Sequence, residues 1–173
     1  LWHAAGVLAD GLFGSLTAQR CRHVFGPKVH GMAAAHDALR TSRMEVCVLF
    51  SSIAALHYGA AQANYSAANS HLDAMSAWRR ARGLAATSVE WGPWDEIGMA
   101  TRGAISARMQ ASGLGLIKPA QGLVALRTAL HADAPAVVAV TPLKWDTLLG
   151  GRARSLALLS AFAPQQHLVH KST

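Results

Sequence analysis

Apolar and polar residues follow one another along this chain in blocks that predict alternating strands and helices. The run from Glu45 to Phe50 is almost continuously apolar and of the length expected of a strand covered on both faces. It ends in Ser51 and Ser52, and a small-residue loop then leads to an alanine-rich helix that opens at Asn64. Residues 50–82 therefore form the predicted strand, loop and helix around which the rest of the chain is organised.

The segments on either side repeat the alternation. Residues 2–6 have the pattern of a strand end that passes into a small-residue turn, and Thr17 is a candidate N-cap for a helix that should kink or divide near Pro27. Residues 86–91 and 136–140 are the further predicted strands, and Gly92-Pro93 ends the first of these. Such alternation predicts right-handed crossovers, a parallel sheet and an α/β fold.

Three other segments carry expectations of their own. Pro119 should begin a helix whose core face includes Leu123, Leu126 and Leu130. The glycine-rich segment 95–118 is too long for an ordinary connection and is typical of a lid or binding loop, whereas residues 151–173 are expected to be a linker or tail. Arg79, Arg80 and Arg82 precede Gly83 at the end of the central helix, where cations oppose the helix dipole.

Composition narrows the class of protein. The chain has 173 residues, of which 51% are hydrophobic and 14% charged, as expected of one globular domain. No apolar run approaches the roughly 18 residues needed to span a bilayer, and neither a signal peptide nor a membrane partner is predicted. Cys21 and Cys47 do not suggest a disulfide framework and suit a reducing compartment such as the cytoplasm. The nine histidines are too dispersed to indicate a metal site.

The net charge of the chain indicates the sign of the charge expected on a binding partner. The formal net charge is +7, which favours an anionic cofactor, an acidic protein or a nucleic acid. The basic residues form no concentrated stripe, and the zinc spacings and exposed aromatic runs of nucleic-acid modules are absent, so no nucleic-acid partner is predicted.

Candidate chemistry lies where the central strand ends. Ligands of open α/β sheets bind at the carboxyl ends of the strands, which is the position of Ser51 and Ser52. Tyr65 and Asn69 are four residues apart and should project from one face of the helix, where they can address one reactant together.

These residues belong to a set of motifs that resembles the ketoreductase domain of modular or iterative polyketide synthases, in the short-chain dehydrogenase/reductase superfamily. The similarity covers nearly all of residues 1–150. It is carried by His3-Ala4-Ala5-Gly6-Val7-Leu8, Pro27-Lys28-Val29, Leu49-Phe50-Ser51-Ser52, Gln62-Ala63-Asn64-Tyr65, Ala67-Ala68-Asn69 and Trp91-Gly92-Pro93-Trp94. The resemblance implies the C-terminal catalytic part of a Rossmann-like, doubly wound parallel sheet whose N-terminal dinucleotide-binding half is missing from this chain.

The same resemblance implies a catalytic tetrad of Lys28, Ser52, Tyr65 and Asn69. Lys28 lies 24 residues before Ser52, which lies 13 before Tyr65, and Asn69 follows by four, as in the family. Classical short-chain dehydrogenases carry Lys where Asn69 stands, whereas these ketoreductases take it from the preceding helix. The exchange distinguishes the polyketide type from the generic superfamily.

Each implied role suits its chemistry. Tyr65 would protonate the ketone oxygen, and the Lys28 ammonium would hold the cofactor ribose and move the pKa of Tyr65 toward the working pH. Ser52 would orient the carbonyl, and Asn69 would support Lys28 and a relay water. The implied cofactor is NADPH, contacted by Ala4, Ala5 and Gly6 near the ribose and by Gly92, Pro93 and Trp94 near the nicotinamide, with segment 95–118 as the lid.

The configuration of the alcohol product is predicted from the residues that precede Tyr65 and from those that follow the Ala-Gly turn. Ketoreductases that give D-configured alcohols carry Leu-Asp-Asp after the Ala-Gly turn and Asn before the Tyr, whereas L-types carry Trp eight residues before it. This chain keeps Asp10 and Asn64 and has His57 at the Trp position, which favours the D-type. Ala9 in place of the first Asp and Ala60 in place of a frequent Pro weaken the match.

The resemblance also implies partners and leaves alternatives. An acyl carrier protein would present the phosphopantetheinyl β-ketoacyl substrate, and other domains of the same synthase would adjoin this one. A ketoreductase of a type I fatty acid synthase is the nearest alternative enzyme. A noncatalytic structural half-domain is the alternative of another class, although such halves typically lose the Ser-Tyr-Asn set that is intact here.

Overall fold

The computed structural model describes residues 1–57, 61–95, 104–131 and 133–149, together with Leu159 and Phe162. These residues include four strands: β1 (Trp2–His3), β2 (Val48–Ser52), β3 (Thr87–Trp91) and β4 (Val137–Val140). The same described ranges hold six α-helices: α1 (Ala18–Phe25), α2 (Gly31–Ala38), α3 (Ala63–Arg80), α4 (Ala104–Ala111), α5 (Pro119–Ala129) and α6 (Trp145–Leu149). The predicted strand, helix, strand order is therefore confirmed for the described residues.

The four strands form one parallel sheet in the order β1-β2-β3-β4. Ser52 is in register with Trp91, and both stand at the carboxyl ends of their strands. The predicted α/β fold with a parallel sheet is confirmed. Consecutive parallel strands need crossovers, and α3 supplies the one between β2 and β3 while α5 supplies the one between β3 and β4.

The chain divides into two compact units, Leu1–Gly92 with Lys118–Val140, and Pro93–Ile117 with Thr141–Thr173. The first unit contains the sheet and α1, α2, α3 and α5. Its core includes Met32, Leu49 and Leu72, which are all fully buried between the helices and the sheet. Burial of each such side chain contributes about 2 kcal/mol relative to exposure.

Pro27 divides the predicted long helix as expected. Thr17 caps α1, since its Oγ1 accepts a hydrogen bond of 3.2 Å from the Arg20 N–H. Pro27 has no N–H to donate into the helical ladder, and the chain passes from α1 to α2 through a π-helical turn, Gly26–His30. This turn carries Lys28.

The C-terminal end of α3 is also as predicted. Gly83 has a φ of +71° and lies just beyond the helix, and the Leu84 N–H donates to the Arg79 carbonyl at 3.0 Å. This is the Schellman arrangement, which glycine accommodates without strain. Arg79, however, is only 3% exposed: its guanidinium donates to the Ala85 carbonyl and to His36 Nδ1. It links α3 to its surroundings and is not a solvated dipole partner.

The predicted core face of α5 is wrong. Pro119 begins the helix, but Leu123 is 66% exposed and Leu130 37%, while Leu126 is half-buried. Gly122 and Ala129 are its buried residues, because small side chains let the helix approach the sheet closely.

The second unit contains part of the predicted lid. Residues 96–103 lie outside the described residues; the described remainder of segment 95–118 holds α4, which the sequence did not predict. Most of the predicted tail, 151–173, also lies outside them, although Phe162 stacks on Trp145 with ring centroids 4.5 Å apart. Among the described residues, no helix combines the length and apolar character needed to cross a bilayer.

Candidate active site

The two serines that end β2 have different partners, as adjacent strand residues should. Ser51 is buried, and its hydroxyl donates to the Asn69 carbonyl of α3 at 3.3 Å. Ser52 Oγ accepts a hydrogen bond of 3.2 Å from the Ala54 N–H. That bond fixes the Ser52 oxygen and leaves its hydroxyl hydrogen to be directed elsewhere.

Tyr65 and Asn69 lie one turn apart on α3, as their spacing predicted. Tyr65 is 8% exposed, and its ring packs with Val24 and Ala68 in an apolar cluster. Asn69 is fully buried and its Nδ2 donates to the Tyr65 carbonyl at 2.8 Å. Its Oδ1 has no hydrogen-bond partner among the described residues. Such a buried acceptor costs about 1–3 kcal/mol unless a donor reaches it.

The side chain of Lys28 extends from the π-helical turn to the neighbourhood of Tyr65. It is 3% exposed, its Nζ donates to the Phe50 carbonyl of β2 at 2.9 Å, and Nζ lies 5.6 Å from the centre of the Tyr65 ring. A solvated helix lysine would show none of these features. The structure thus brings Lys28 of the π-helical turn close to Tyr65 of α3, beside the end of β2.

The environment of Tyr65 raises its pKa above the ordinary value. Burial is the main cause, the side-chain hydrogen bonds with Asn69 and Ser52 oppose it, and the Asp10 carboxylate adds to it. The sequence-based expectation that Lys28 draws this pKa toward neutrality is therefore wrong for the chain as it stands. Desolvation of the phenolate outweighs the hydrogen bonds that would favour it. Tyr65 is held as a neutral phenol, which is the form that a proton donor requires.

Burial lowers the pKa of Lys28 to about 8, and the negative charge of Asp73 partly offsets this effect. The residue is therefore still mainly an ammonium at neutral pH. Asp73 lies one further turn along α3, continuing the spacing of Tyr65 and Asn69.

The half-buried Asp73 and the buried Glu90 form an acidic cluster that sequence analysis missed. Asp73 Oδ1 accepts a hydrogen bond of 2.6 Å from the Ser88 hydroxyl of β3. Glu90, two residues further on the same strand face, is 7% exposed, and its pKa is raised to about 7 by burial and then by the Asp73 carboxylate. The i, i+4 continuation from Asn69 to Asp73 was the available signal. The pairing with Glu90 could be seen only once β3 lay beside α3.

The residues predicted for cofactor contact are divided between the two units. Ala4 and Ala5 are exposed after β1, and Gly6 lies against Lys28: a Cβ at position 6 would stand 3.2 Å from Lys28 Cε. Gly92 is buried, and its N–H donates to the Val140 carbonyl at 2.8 Å. Pro93 and Trp94 belong to the second unit, where Trp94 pairs with Ile117.

Two of the predicted stereocontrol residues, Asp10 and Asn64, lie where the segment after β1 meets the beginning of α3. Asn64 Nδ2 donates to the Ala9 carbonyl at 3.0 Å, and the Asp10 carboxylate accepts from Gln62 Nε2 at 3.2 Å. These bonds attach the segment after β1 to the beginning of α3. Ala61 has a φ of +64°, an uncommon value for a residue with a Cβ, and its carbonyl accepts from the Gly11 N–H at 2.8 Å.

The third predicted residue, His57, ends the turn that follows β2. Its N–H donates to the Ile53 carbonyl at 2.7 Å, and its side chain is half-buried. Ala60 lies outside the described residues. The structure therefore places Asp10 and Asn64 beside each other, and His57 at the end of the loop that leads toward them.

The chain matches the KR domain family over residues 1–96, which include every predicted site residue. It belongs to the KR domain family. The resemblance to polyketide synthase ketoreductases is thereby confirmed, and relatives with that description agree. The polyketide synthase GfsB of Streptomyces halstedii is 41% identical to this KR chain over 144 residues, which are 83% of this chain and 3% of that protein.

Solved ketoreductases share the fold of this KR chain. A structure described as an A1-type ketoreductase superposes with a TM-score of 0.83 at 32% identity, covering 87% of this chain and 32% of that one. PlmKR1, the ketoreductase from the first module of phoslactomycin biosynthesis in Streptomyces sp. HK803, gives a TM-score of 0.86 at 30% identity, covering 94% and 37%. The KR chain thus spans about a third of these ketoreductases and a few per cent of GfsB.

Proposed function

We propose that this KR chain carries the catalytic residues of a ketoreductase that reduces a carrier-bound β-ketoacyl thioester to the β-hydroxyacyl thioester with NADPH. The observation that carries the proposal is the convergence of Lys28, Ser52, Tyr65 and Asn69. These four residues come from the π-helical turn, the end of β2 and one face of α3. Buried polar groups that converge at the carboxyl end of a parallel sheet are typical of an active site.

The proposed reaction adds a hydride to the ketone carbon and a proton to its oxygen, so the carbonyl π bond is replaced by one C–H and one O–H bond. NADPH, when bound, supplies the hydride and is left as NADP⁺. The Tyr65 phenol supplies the proton to the oxygen. Ser52 has its oxygen fixed by the Ala54 N–H, so its hydroxyl hydrogen can donate to the same substrate oxygen.

The residues present fit a nicotinamide cofactor. Lys28 is a buried ammonium held by the Phe50 carbonyl, and Gly6 lets the backbone after β1 approach it closely, since a Cβ there would stand 3.2 Å from Lys28 Cε. Asn69 Oδ1 meets no donor within the described part of the chain, which supports the proposed relay water between Tyr65 and Lys28. We assign the remaining cofactor contacts to Ala4, Ala5, Gly92, Pro93 and Trp94, and the lid to segment 95–118.

The substrate and partner proposals rest on charge and family. A net charge of +7 suits the acidic surface of an acyl carrier protein, which would present the thioester. Other domains of the same synthase would flank the ketoreductase.

The proposal is tested by following NADPH and NADH oxidation in the intact ketoreductase that contains this segment, with a β-ketoacyl thioester as substrate. We expect turnover with NADPH and much slower turnover with NADH. A folded protein that binds NADPH and yet shows no turnover would overturn the enzyme proposal in favour of a structural half-domain. Equal rates with the two cofactors would reject only the NADPH assignment.

We further propose that the alcohol has the D configuration. Two observations support this proposal. Asn64, the residue before Tyr65, donates to the carbonyl of Ala9, the residue before Asp10. The Asp10 carboxylate is near enough to Tyr65 for its charge to raise the pKa of the phenol. Chiral chromatography of the β-hydroxyacyl product should show at least tenfold more D than L alcohol, which corresponds to about 1.4 kcal/mol of selectivity. A predominantly L product would contradict the assignment and leave the reductase activity unaffected.

A further inference from the structure

His3 is a buried residue of the Ala-Gly motif to which the proposed mechanism gives no role. It ends β1 and is 8% exposed. Its Nε2 lies 3.2 Å from the carbonyl oxygen of Lys28, 25 residues further along the chain. A carbonyl can only accept, so Nε2 carries the proton and the neutral ring is the Nε2–H tautomer.

The hydrogen bond from His3 joins the π-helical turn, whose backbone is less regular than that of an α-helix. The Gly31 N–H reaches back five residues to the Gly26 carbonyl, so the backbone around Lys28 departs from the regular α-helical ladder. The His3 ring packs against this turn, since a Cβ at Gly31 would stand 3.4 Å from His3 Cε1. A wider and less regular turn depends more on contacts from outside to define where its side chains project.

Lys28 is therefore held from two neighbouring strands. Its main chain is bound by His3 of β1, and its ammonium by the Phe50 carbonyl of β2. The His3 contact is buried and the Phe50 contact is partly buried, and each comes from a residue distant in sequence. Removal of the first would leave the Lys28 carbonyl with the Gly31 N–H of the same helical segment and the ammonium with the Phe50 carbonyl, so the sheet would hold the residue from one strand instead of two.

We propose that His3 is a positioning residue for Lys28: the neutral imidazole donates its Nε2 proton to the Lys28 carbonyl and fixes the π-helical turn so that the ammonium lies beside Tyr65. The inference rests on the proposed function of Lys28, but the hydrogen bond itself does not.

The charge of the site agrees with a neutral imidazole. Burial lowers the pKa of His3, and the nearby Lys28 ammonium lowers it further, whereas hydrogen bonds with the Lys28 and Pro27 carbonyls oppose this effect. A protonated ring would add a second buried cation beside Lys28. The neutral ring supplies the donor without that cost.

Two amide variants of His3 separate the hydrogen bond from simple packing. The amide nitrogen of Gln reaches about as far as Nε2 of His, whereas that of Asn reaches only as far as Nδ1. In the intact ketoreductase we expect His3→Gln to stay within about threefold of wild-type kcat/KM, and His3→Asn to lose roughly tenfold, through KM for NADPH as well as kcat. Thermal melting of both variants checks that they fold equally well.

Equal activity of the two variants, whether both high or both low, would overturn the proposal. A wild type without turnover would instead count against the proposed function. Long-range ¹H–¹⁵N NMR of the wild type then still tests the inference, and it also serves if a variant does not fold. We expect His3 to be protonated on Nε2 alone at neutral pH; a ring protonated on Nδ1 would overturn the assignment.

Discussion

Tyr65→Phe should lower kcat for β-ketoacyl thioester reduction by about 10²–10⁴-fold, because it removes the group proposed to transfer a proton to the ketone oxygen and leaves the ring in place. The ring itself packs with Val24 and Ala68, so the variant should fold and bind NADPH as the wild type does. Rates of NADPH oxidation give the effect on turnover, and fluorescence titration gives cofactor affinity.

Ser70→Ala is the matched control for this substitution. It removes a hydroxyl from the same helix, but Ser70 is exposed and its hydroxyl donates to the Ser66 carbonyl one turn earlier in α3. Its turnover should match that of the wild type. A Tyr65→Phe protein that keeps more than a tenth of wild-type kcat would show that another group donates the proton.

Glu90→Gln should make folding stability less dependent on pH. The pKa of Glu90 is raised from 4.5 to about 7 in the folded chain, so the folded state binds this proton more tightly than the unfolded state does. The resulting stability is fully present below about pH 4.5 and is lost as the pH rises through 7. Between pH 5 and pH 8 this one carboxyl should cost the wild type roughly 2–3 kcal/mol, which the amide does not lose.

Urea unfolding of the cofactor-free ketoreductase at pH 5 and pH 8 measures this difference. The free energy of unfolding of Glu90→Gln, relative to the wild type, should rise by roughly 2–3 kcal/mol between the two pH values. Glu45→Gln makes the same change of charge at an exposed side chain and is the control. An identical pH dependence for Glu90→Gln and the wild type would mean that the pKa of Glu90 is not raised in the folded protein.

The two predictions concern groups that are connected through α3. Tyr65, Asn69 and Asp73 follow at intervals of four on this helix, so the proposed proton donor lies on the same face as the acid that adjoins Glu90 of β3. The charge of Asp73 keeps the pKa of Lys28 from falling further. A change in the charge of Asp73 should therefore alter the pKa of Lys28 in the proposed active site.

Local pattern was sufficient for most elements of the fold. The apolar run at Val48 predicted the central strand, Thr17 and Pro119 predicted helix starts, and Gly83 predicted a helix end, because each depends on backbone chemistry within a few residues. Periodicity failed on α5, where it favoured Leu123 as a core residue. Burial there depends on which helix face approaches the sheet, and small residues decide that.

The catalytic tetrad was implied by the family resemblance and stays a prediction, whereas helix geometry sets the shared face of Tyr65 and Asn69 and the strand end sets the position of Ser52. The tertiary structure decided what a one-dimensional pattern does not contain: that Lys28 is buried in a π-helical turn, that His3 binds its carbonyl, and that Glu90 meets Asp73. The reason is physical. Residue types and spacing determine local geometry, whereas burial and charge depend on which distant groups share a place from which water is excluded.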